Sequence, residues 1–484
     1  MTTNTIALAS SHSRLNRFSV WICLVAAIGG FLFGFDTAVI SGALPYVVAD
    51  FHFDTLMEGW FVSSALLGCI IGVVFSGRLS DWKGRKFVML LSAGLFLVSA
   101  VGCMLSASAF WLIAFRLTGG LGIGVASMIC PLYISEISAP ASRGMMVALY
   151  QLAITIGIVA AYFSNSLLAK SAASNLTGFL HHVVVEDPWR SMIGLGLVPS
   201  LLFWIGLLFI PESPRWLLLK GRRNEAENVL LQTTDRQTAA AEMAVIDSGL
   251  KTEKMGLKNL FSPRYRTPLL VGLLLPFFAQ VSGINAVIYY GPSILDKAGF
   301  SLGDALGGQV TIGLVNVVFT FVAIFTVDKW GRKPLLALGI SLAVLSLAVI
   351  GVLFHQHLTE GPWILLFILV FIASFAFSFG PVTFIVISEI FPTAIRAQAV
   401  SLGILSMWVA NFFVGQLTPA MLKSASWGPA ATFWTFALLC APALYLTLKL
   451  IPETKGKSLE EIETLWSDKQ SLPAKRTHTG VNTY

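Results

Sequence analysis

The sequence predicts an all-α membrane protein: twelve transmembrane helices in two six-helix bundles, with short cytoplasmic helices beside them. Three observations predict it. The 484 residues are 56% hydrophobic and only 12% charged, and that is about half the charged share of a soluble domain. Twelve runs are long and apolar enough for a bilayer core, which takes about 20 helical residues. Three polar motifs of the first half recur, in the same order, in the second.

The twelve runs are 18–41, 58–78, 87–107, 109–133, 144–166, 190–210, 268–290, 307–327, 334–354, 363–385, 397–421 and 428–450. The longest polar insert, 211–267, follows the sixth. The expected domains are therefore an N-terminal bundle (1–222), a helical cytoplasmic linker (223–262), a C-terminal bundle (263–455) and a cytoplasmic tail (456–484). Within the linker, Arg222–Leu231 and Ala239–Leu250 read as helices. In the tail, Ser458–Trp466 reads as another, with Ser458 and Glu461 spaced as a capping box. Asn175–Thr177 spells a glycosylation sequon, a triplet common by chance, and carries no weight.

Lysine and arginine set the orientation. With the N-terminus inside, 26 of the 32 fall on the cytoplasmic side, and only Lys170, Arg190, Lys297 and Lys423 lie outside. Arg116 and Lys449 sit in or at the end of spans. Both termini are thus expected in the cytoplasm. The net charge of +7 follows from the inner loops and calls for no nucleic-acid partner. Short external loops and tails favour a bacterial inner (plasma) membrane, crossed many times. The start, Met1–Arg17, is polar and the first apolar run is too long for a cleaved signal, so none is expected. Cys23, Cys69, Cys103, Cys130 and Cys440 lie in apolar runs without metal-type spacing and read as small buried hydrophobes, not as disulfides or zinc ligands.

The repeat is specific. GRLSDWKGRK (Gly77–Lys86) is echoed by VDKWGRKP (Val327–Pro334), so Asp81, Gly84, Arg85 and Lys86 match Asp328, Gly331, Arg332 and Lys333. SEISAPASRG (Ser135–Gly144) is echoed by SEIFPTAIRA (Ser388–Ala397), matching Glu136 and Arg143 to Glu389 and Arg396. PESPRW (Pro211–Trp216) is echoed by PETKG (Pro452–Gly456). Such a parallel repeat places two like-oriented bundles about an axis along the membrane normal, the plan of alternating-access transporters. Acid, arginine and glycine at span ends suggest a cytoplasmic gate. It would comprise Asp81, Arg85, Glu136, Arg143, Glu212 and Arg215 in one half, and Asp328, Arg332, Glu389, Arg396 and Glu453 in the other. These residues are expected to pair across the bundle interface when the transporter is open outward and to part when it opens inward. The alternative is topology anchoring by solvated ion pairs, each worth about 0–1 kcal/mol.

Asp36 stands inside the first apolar run, GGFLFGFDTAVISGAL (Gly29–Leu44). A carboxylate there costs roughly 2.5–3.5 kcal/mol on insertion scales and marks a functional site by default. Arg116 is a second intramembrane charge, in the fourth run. Gln151, Gln280, Asn285, Asn316 and Asn411 are amides within spans, where an unpartnered amide is costly. They serve either a ligand or helix-to-helix bonding.

Taken together, GFDTAVISGAL, GRLSDWKGRK, PLYISEISAPASRG, PESPRWL, QVSGINAVIYY, VDKWGRKP, GPVTFIVISEIFPTAIR and PETKG resemble the sugar porter family of the major facilitator superfamily, over about Phe18–Ile462. That family holds bacterial sugar:proton symporters, the xylose symporters among them, and animal glucose facilitators. The resemblance implies the major facilitator fold, a central sugar site and rocking of the halves. It makes the first and fourth spans neighbours, so that Asp36 and Arg116 can pair. It also implies proton coupling at Asp36, since the symporters carry Asp there and the passive facilitators Asn. The alternative is a static buried pair.

By resemblance, the sugar site comprises Phe33, Gln151, Gln280, Asn285, Tyr289, Asn316, Gly380, Trp408 and Asn411, with Phe384 as an aromatic wall. Tyr289 and Tyr290 are an outer gate or ordinary packing. Four positions depart from the family pattern towards apolar groups: Ala279 and Ile158 where Gln is frequent, Phe384 where Trp is, and Met407 where Gln or Asn is. A missing donor changes specificity where hydroxyls are read, so a less hydroxylated sugar or a polyol fits.

The function implied is secondary transport of a monosaccharide or polyol in symport with protons, by a monomer in the lipid bilayer. The proton is the coupling ion, with no other cofactor and no metal. A passive facilitator and a transporter-like sugar sensor are the alternatives. The sensor is disfavoured by a tail of only 33 residues (452–484). Nothing suggests an enzyme: the chain shows no nucleotide loop, metal-spaced cluster or nucleophile motif.

Overall fold

The computed structural model describes residues 16–139, 142–171, 187–251, 260–359, 361–391 and 393–455. The sequon at Asn175 and the capping box at Ser458 lie outside them. Among the described residues there is no strand, and twelve helical stretches are long and apolar enough to cross a membrane.

The first half holds Arg17–Phe51, Thr55–Lys83, Arg85–Leu105, Ala109–Ile137, Arg143–Ser171 and Pro188–Leu208. Several spans outrun their apolar runs. The first continues ten residues past the expected end at 41, because apolarity marks only the lipid-crossing part while the helix runs on to its own caps. Asn16 accepts the Phe18 N–H at its start, and His52 closes it in the left-handed region, φ 51°. Asp54 then caps the second span through the Met57 N–H, 2.7 Å.

The second half holds Arg266–Lys297, Leu302–Trp330, Arg332–His355, Trp363–Glu389, Thr393–Lys423 and Gly428–Lys449. Two of these spans are discontinuous. The seventh is Arg266–Val281 and Ile284–Lys297, broken at Gly283, φ 84°. The tenth is Trp363–Phe377 and Phe379–Glu389, broken at Ser378. Freed backbone groups of this kind are tolerated at membrane depth only where protein or a polar cavity receives them. Broken helices at the midplane are where transporters of this plan build their sites.

Packing repeats with the sequence. The first span lies on the fifth as the seventh lies on the eleventh, and the third on the sixth as the ninth on the twelfth. Close approach depends on glycine. A Cβ on Gly34 would strike the Ile154 carbonyl, and one on Gly120 the Ala65 carbonyl, so these helices meet backbone to backbone. The polar insert after the sixth span forms Pro214–Leu219 and, within the linker, Arg223–Thr233 and Arg236–Lys251. It packs on the first and fourth spans, and Asn16 donates to the Gln232 carbonyl. All five cysteines are free and buried.

The halves meet where the second span packs on the eleventh, the fifth on the eighth, and the first on the second piece of the seventh. The contacts lie towards the membrane side opposite the linker, here the far side. Gly313 packs against Val159 and Tyr162, and Gly415 against Leu66 and Val62. Hydrogen bonds cross there from Ser63 to Gln416 (2.6 Å), from Gln416 to the Leu56 carbonyl (3.2 Å) and from Tyr162 to the Ile288 carbonyl (3.2 Å). Lys423 pairs with Glu58 beside them. The structure is thus closed on the far side.

Candidate functional site

The site grows out of the fourth span. Its Gly119 and Gly120 pack closely on the third and second spans, at Ser99 and Ala65, and Arg116 Nη1 donates to both carboxylate oxygens of Asp36 in the first span, at 2.9 and 3.0 Å. The pair is enclosed: the Arg116 side chain is 3% exposed and that of Asp36 15%. Arg116 Nε has no partner. A narrow cavity of about 10 Å³ adjoins the pair, lined among others by Asp36, Thr37, Arg116, Tyr289 and Trp408. That is room for about one water. The lining comes from both halves, so the charged pair stands at the interface on which any rocking motion acts.

Around this cavity the structure gathers part of the expected sugar site. Phe33 and Trp408 meet across the interface, ring centroids 5.4 Å apart. The Trp408 indole is buried and its Nε1 unpartnered. Tyr289 and Asn411 are hydrogen bonded, Asn411 Nδ2 donating to the hydroxyl at 3.0 Å. Asn285 Nδ2 donates to Gln280 Oε1 across the Gly283 break, 2.6 Å. Gln151, Asn316 and Gly380 are half-buried but do not line the cavity. Phe384 departs from expectation. It is 39% exposed and does not line the cavity either.

Of the two gate tyrosines, Tyr290 donates to the Gly415 carbonyl (2.5 Å), inside its own half. A tyrosine hydroxyl does bond between the halves, but it is that of Tyr162, which the sequence reading missed. A signal was present: Pro292 has no N–H, so the Ile288 carbonyl four residues earlier lacks its helical donor, and the Tyr162 hydroxyl supplies one. Glu58, Lys423 and Gln416 were missed too, because pairing between residues so far apart in the chain leaves no local pattern.

The cytoplasmic motif residues were expected to pair across the interface in one state and to part in the other. In this structure, closed on the far side, the ion pairs of Arg85 and Arg332 lie within one half each. Arg85 grips Glu136 with two nitrogens (2.9 and 3.1 Å) and reaches Asp81 (3.2 Å). Arg332 reaches Glu389 and Asp328, both at 2.9 Å. Ser213 and Thr454 donate to Glu136 and Glu389 respectively. The physical reason is local: each arginine begins the helix after a tight glycine turn, next to the span end that carries its acid.

Gly84 (φ 101°) and Gly331 (φ 95°) occupy the left-handed region, which a side chain would strain. A Cβ on either would meet the carboxylate of Glu212 or Glu453. Glu212 accepts the backbone N–H groups of Arg85 and Lys86, and Glu453 those of Arg332 and Lys333. An acid at a helix N-terminus satisfies free donors and the helix dipole together. Burial pushes the Glu212 carboxyl above its usual range, against the pull of those N–H groups. For Glu453 burial also acts upward, but its backbone hydrogen bonds outweigh it and hold the carboxyl below that range. Arg143 joins the linker through Glu242 (3.3 Å), Arg396 donates to the Phe391 carbonyl (3.1 Å), and Arg215 is exposed.

Two repeated six-helix halves, a midplane cluster with broken helices and an enclosed charge pair at their interface define a secondary transporter of the alternating-access class. Residues 22–466 match the family described as "Sugar (and other) transporter". The chain belongs to that family, the sugar porters of the major facilitator superfamily, and is a transporter and not an enzyme. It is 40% identical to the arabinose-proton symporter of Bacillus subtilis over 462 residues, 95% of this chain and 97% of the relative. It is 37% identical to the galactose-proton symporter of Escherichia coli, over 94% of this chain and 96% of the relative. Among solved structures it resembles the proton:xylose symporter XylE bound to 6-bromo-6-deoxy-D-glucose. That match has a TM-score of 0.79 and 34% identity, and covers 94% of this chain and 100% of that one.

Proposed function

We propose that this protein carries a monosaccharide or polyol inward together with a proton, Asp36 being the proton site and Arg116 its partner. The observation that carries this is the Asp36–Arg116 pair beside a cavity lined from both halves. An adjacent arginine favours the carboxylate, while dry surroundings disfavour it. Rocking of the halves changes the surroundings of Asp36, and with them its hold on the proton.

The proton is the only coupling species in this reading, with no cofactor or metal. The protein works as a monomer in the lipid bilayer of the inner (plasma) membrane. Both termini and the linker lie in the cytoplasm, so the far side is the outer side. Gln280, Asn285, Asn411, Tyr289, Phe33 and Trp408 bind the sugar from the cluster described. Gln151, Asn316, Gly380 and Phe384 join them only when the halves rearrange. The names of similar proteins point to arabinose, galactose, xylose and myo-inositol as first candidates, and apolar Ala279, Met407 and Ile158 favour a ligand with fewer hydroxyl contacts.

The test begins with a thermal-shift panel of those four, since a specific binder stabilises the folded state by mass action. Uptake of the binder into proteoliposomes is then measured with and without an inward pH gradient. Accumulation that needs the gradient supports symport. Uptake that stops at equal concentrations inside and out makes the protein a facilitator.

A further inference from the structure

Most of the charged pairs at the span ends join residues of a single half. When two rigid halves rock, such pairs travel with them and bias neither state. Glu58 and Lys423 differ. Glu58 lies in the first turn of the second span and Lys423 in the last turn of the eleventh, one in each half, and they form an ion pair on the outer side. The Glu58 side chain is 4% exposed, while that of Lys423 is 42% exposed. Here a nearly dry carboxylate depends on a cation from the opposite half.

The surroundings are arranged for close approach. A Cβ on Gly59 would strike the Gln416 carbonyl, so the two helix backbones nearly touch. Gln416 accepts from Ser63 and donates to the Leu56 carbonyl. These contacts flank the pair and exclude water from Glu58. Opening the outer side separates the second and eleventh spans, and removes the pair and its flanking bonds together. An interaction present in one state and absent from the other shifts the equilibrium by its full differential free energy.

We propose that Glu58 and Lys423 form an outer latch, an ion pair between the halves that exists only while the outer side is closed and sets the fraction of molecules held in that state. The proposal rests on the transport reading above only for the rocking motion and for calling this side outer.

The experiment needs no sugar and no proton gradient, so a failure of the transport reading leaves its result intact. Leu105→Cys and Leu358→Cys place spin labels on exposed outer positions of the two halves, and the five buried native cysteines stay unlabelled. Outer distances are measured by double electron–electron resonance in nanodiscs. Lys423→Gln, at a half-exposed site that tolerates change, raises the ratio of long to short distances roughly five-fold. Glu58→Gln raises it too, and the double variant exceeds neither single one, because both remove the same interaction. An unchanged ratio in Lys423→Gln overturns the latch. So does a double variant whose effect is the product of the two singles, since the residues then act independently. Should Glu58→Gln fail to fold, Lys423→Gln alone decides.

Discussion

Glu453 holds the start of the ninth span as Glu212 holds the start of the third: each carboxylate accepts the backbone N–H groups of the arginine and lysine that follow a left-handed glycine. The lysines complete the likeness. Lys86 donates to the Leu208 carbonyl at 3.0 Å and Lys333 to the Leu448 carbonyl at 2.8 Å, satisfying the free carbonyls where the sixth and twelfth spans end. One motif thus ties three helices together in each half.

The two acids are expected to respond oppositely to pH. The Glu453 carboxyl is held below its usual range. Its contribution is fully present above the ordinary carboxylate pKa and is lost as pH falls through the lowered one. The Glu212 carboxyl is raised. Its contribution is present below the ordinary value and is lost as pH rises through the raised one. Unfolding midpoints from about pH 3 to about pH 7 check this. Glu453→Gln flattens the loss on the acid side and Glu212→Gln the loss on the neutral side. Parallel curves for both variants would contradict the assignment.

Arg85 and Glu136 are a buried pair, both side chains at or below 5% exposure. Arg85→Ala strands the Glu136 charge, at a cost of about 3–5 kcal/mol. Arg332→Ala costs less, because Arg332 and Glu389 are more exposed. Arg85→Lys keeps the charge but loses the two-pronged grip, and falls between wild type and alanine. The readout is the apparent unfolding midpoint in detergent. Equal losses for Arg85→Ala and Arg332→Ala would show that burial does not set the difference.

Asp36→Asn is expected to abolish accumulation driven by a pH gradient while leaving counterflow within about three-fold of wild type, a barrier change of under about 1 kcal/mol. Arg116→Gln alone leaves Asp36 without its cation and lowers both stability and transport. Asp36→Asn with Arg116→Gln recovers stability, because no charge is left unpaired. Proteoliposome uptake and thermal unfolding measure the two effects separately. Gradient-driven accumulation by Asp36→Asn would remove Asp36 from coupling.

Tyr162→Phe removes the hydroxyl from the Ile288 carbonyl and leaves that carbonyl without a donor. The loss is about 0.5–1.5 kcal/mol, or roughly two- to ten-fold in the balance between outer-closed and outer-open forms. The outer spin-label pair reports it. Tyr290→Phe, whose bond to Gly415 lies inside one half, leaves that balance within about two-fold.

Much of the fold was legible in the sequence because lipid leaves the backbone few options. Apolar runs had to be helices, and the ranges 109–133 and 428–450 fall within about a turn of the helices seen. The breaks at Gly283 and Ser378 went unread, since each lies inside a run whose average is apolar enough to read as one span. Of the site, the nearness of Asp36 to Arg116 was foreseen from resemblance, whereas the bond between Gln280 and Asn285 depends on how Gly283 turns the chain. The cytoplasmic motifs were recognised, whereas the pairs that Arg85 and Arg332 form within each half came only from the structure. Their repetition was visible in the chain, but the distance from Arg85 to Glu136 was not.

By itself, the sequence determined the twelve spans, the duplication into like halves and the costly carboxylate at Asp36. Each follows from a local quantity: apolar length, motif order, or the expense of a charge in lipid. Only the tertiary structure decided which residues face one another between the halves. Glu58 meets Lys423 and Tyr162 meets the Ile288 carbonyl because two rigid bundles have closed at one end. That closure depends on the angle between bodies joined by a linker, and no short stretch of sequence encodes such an angle.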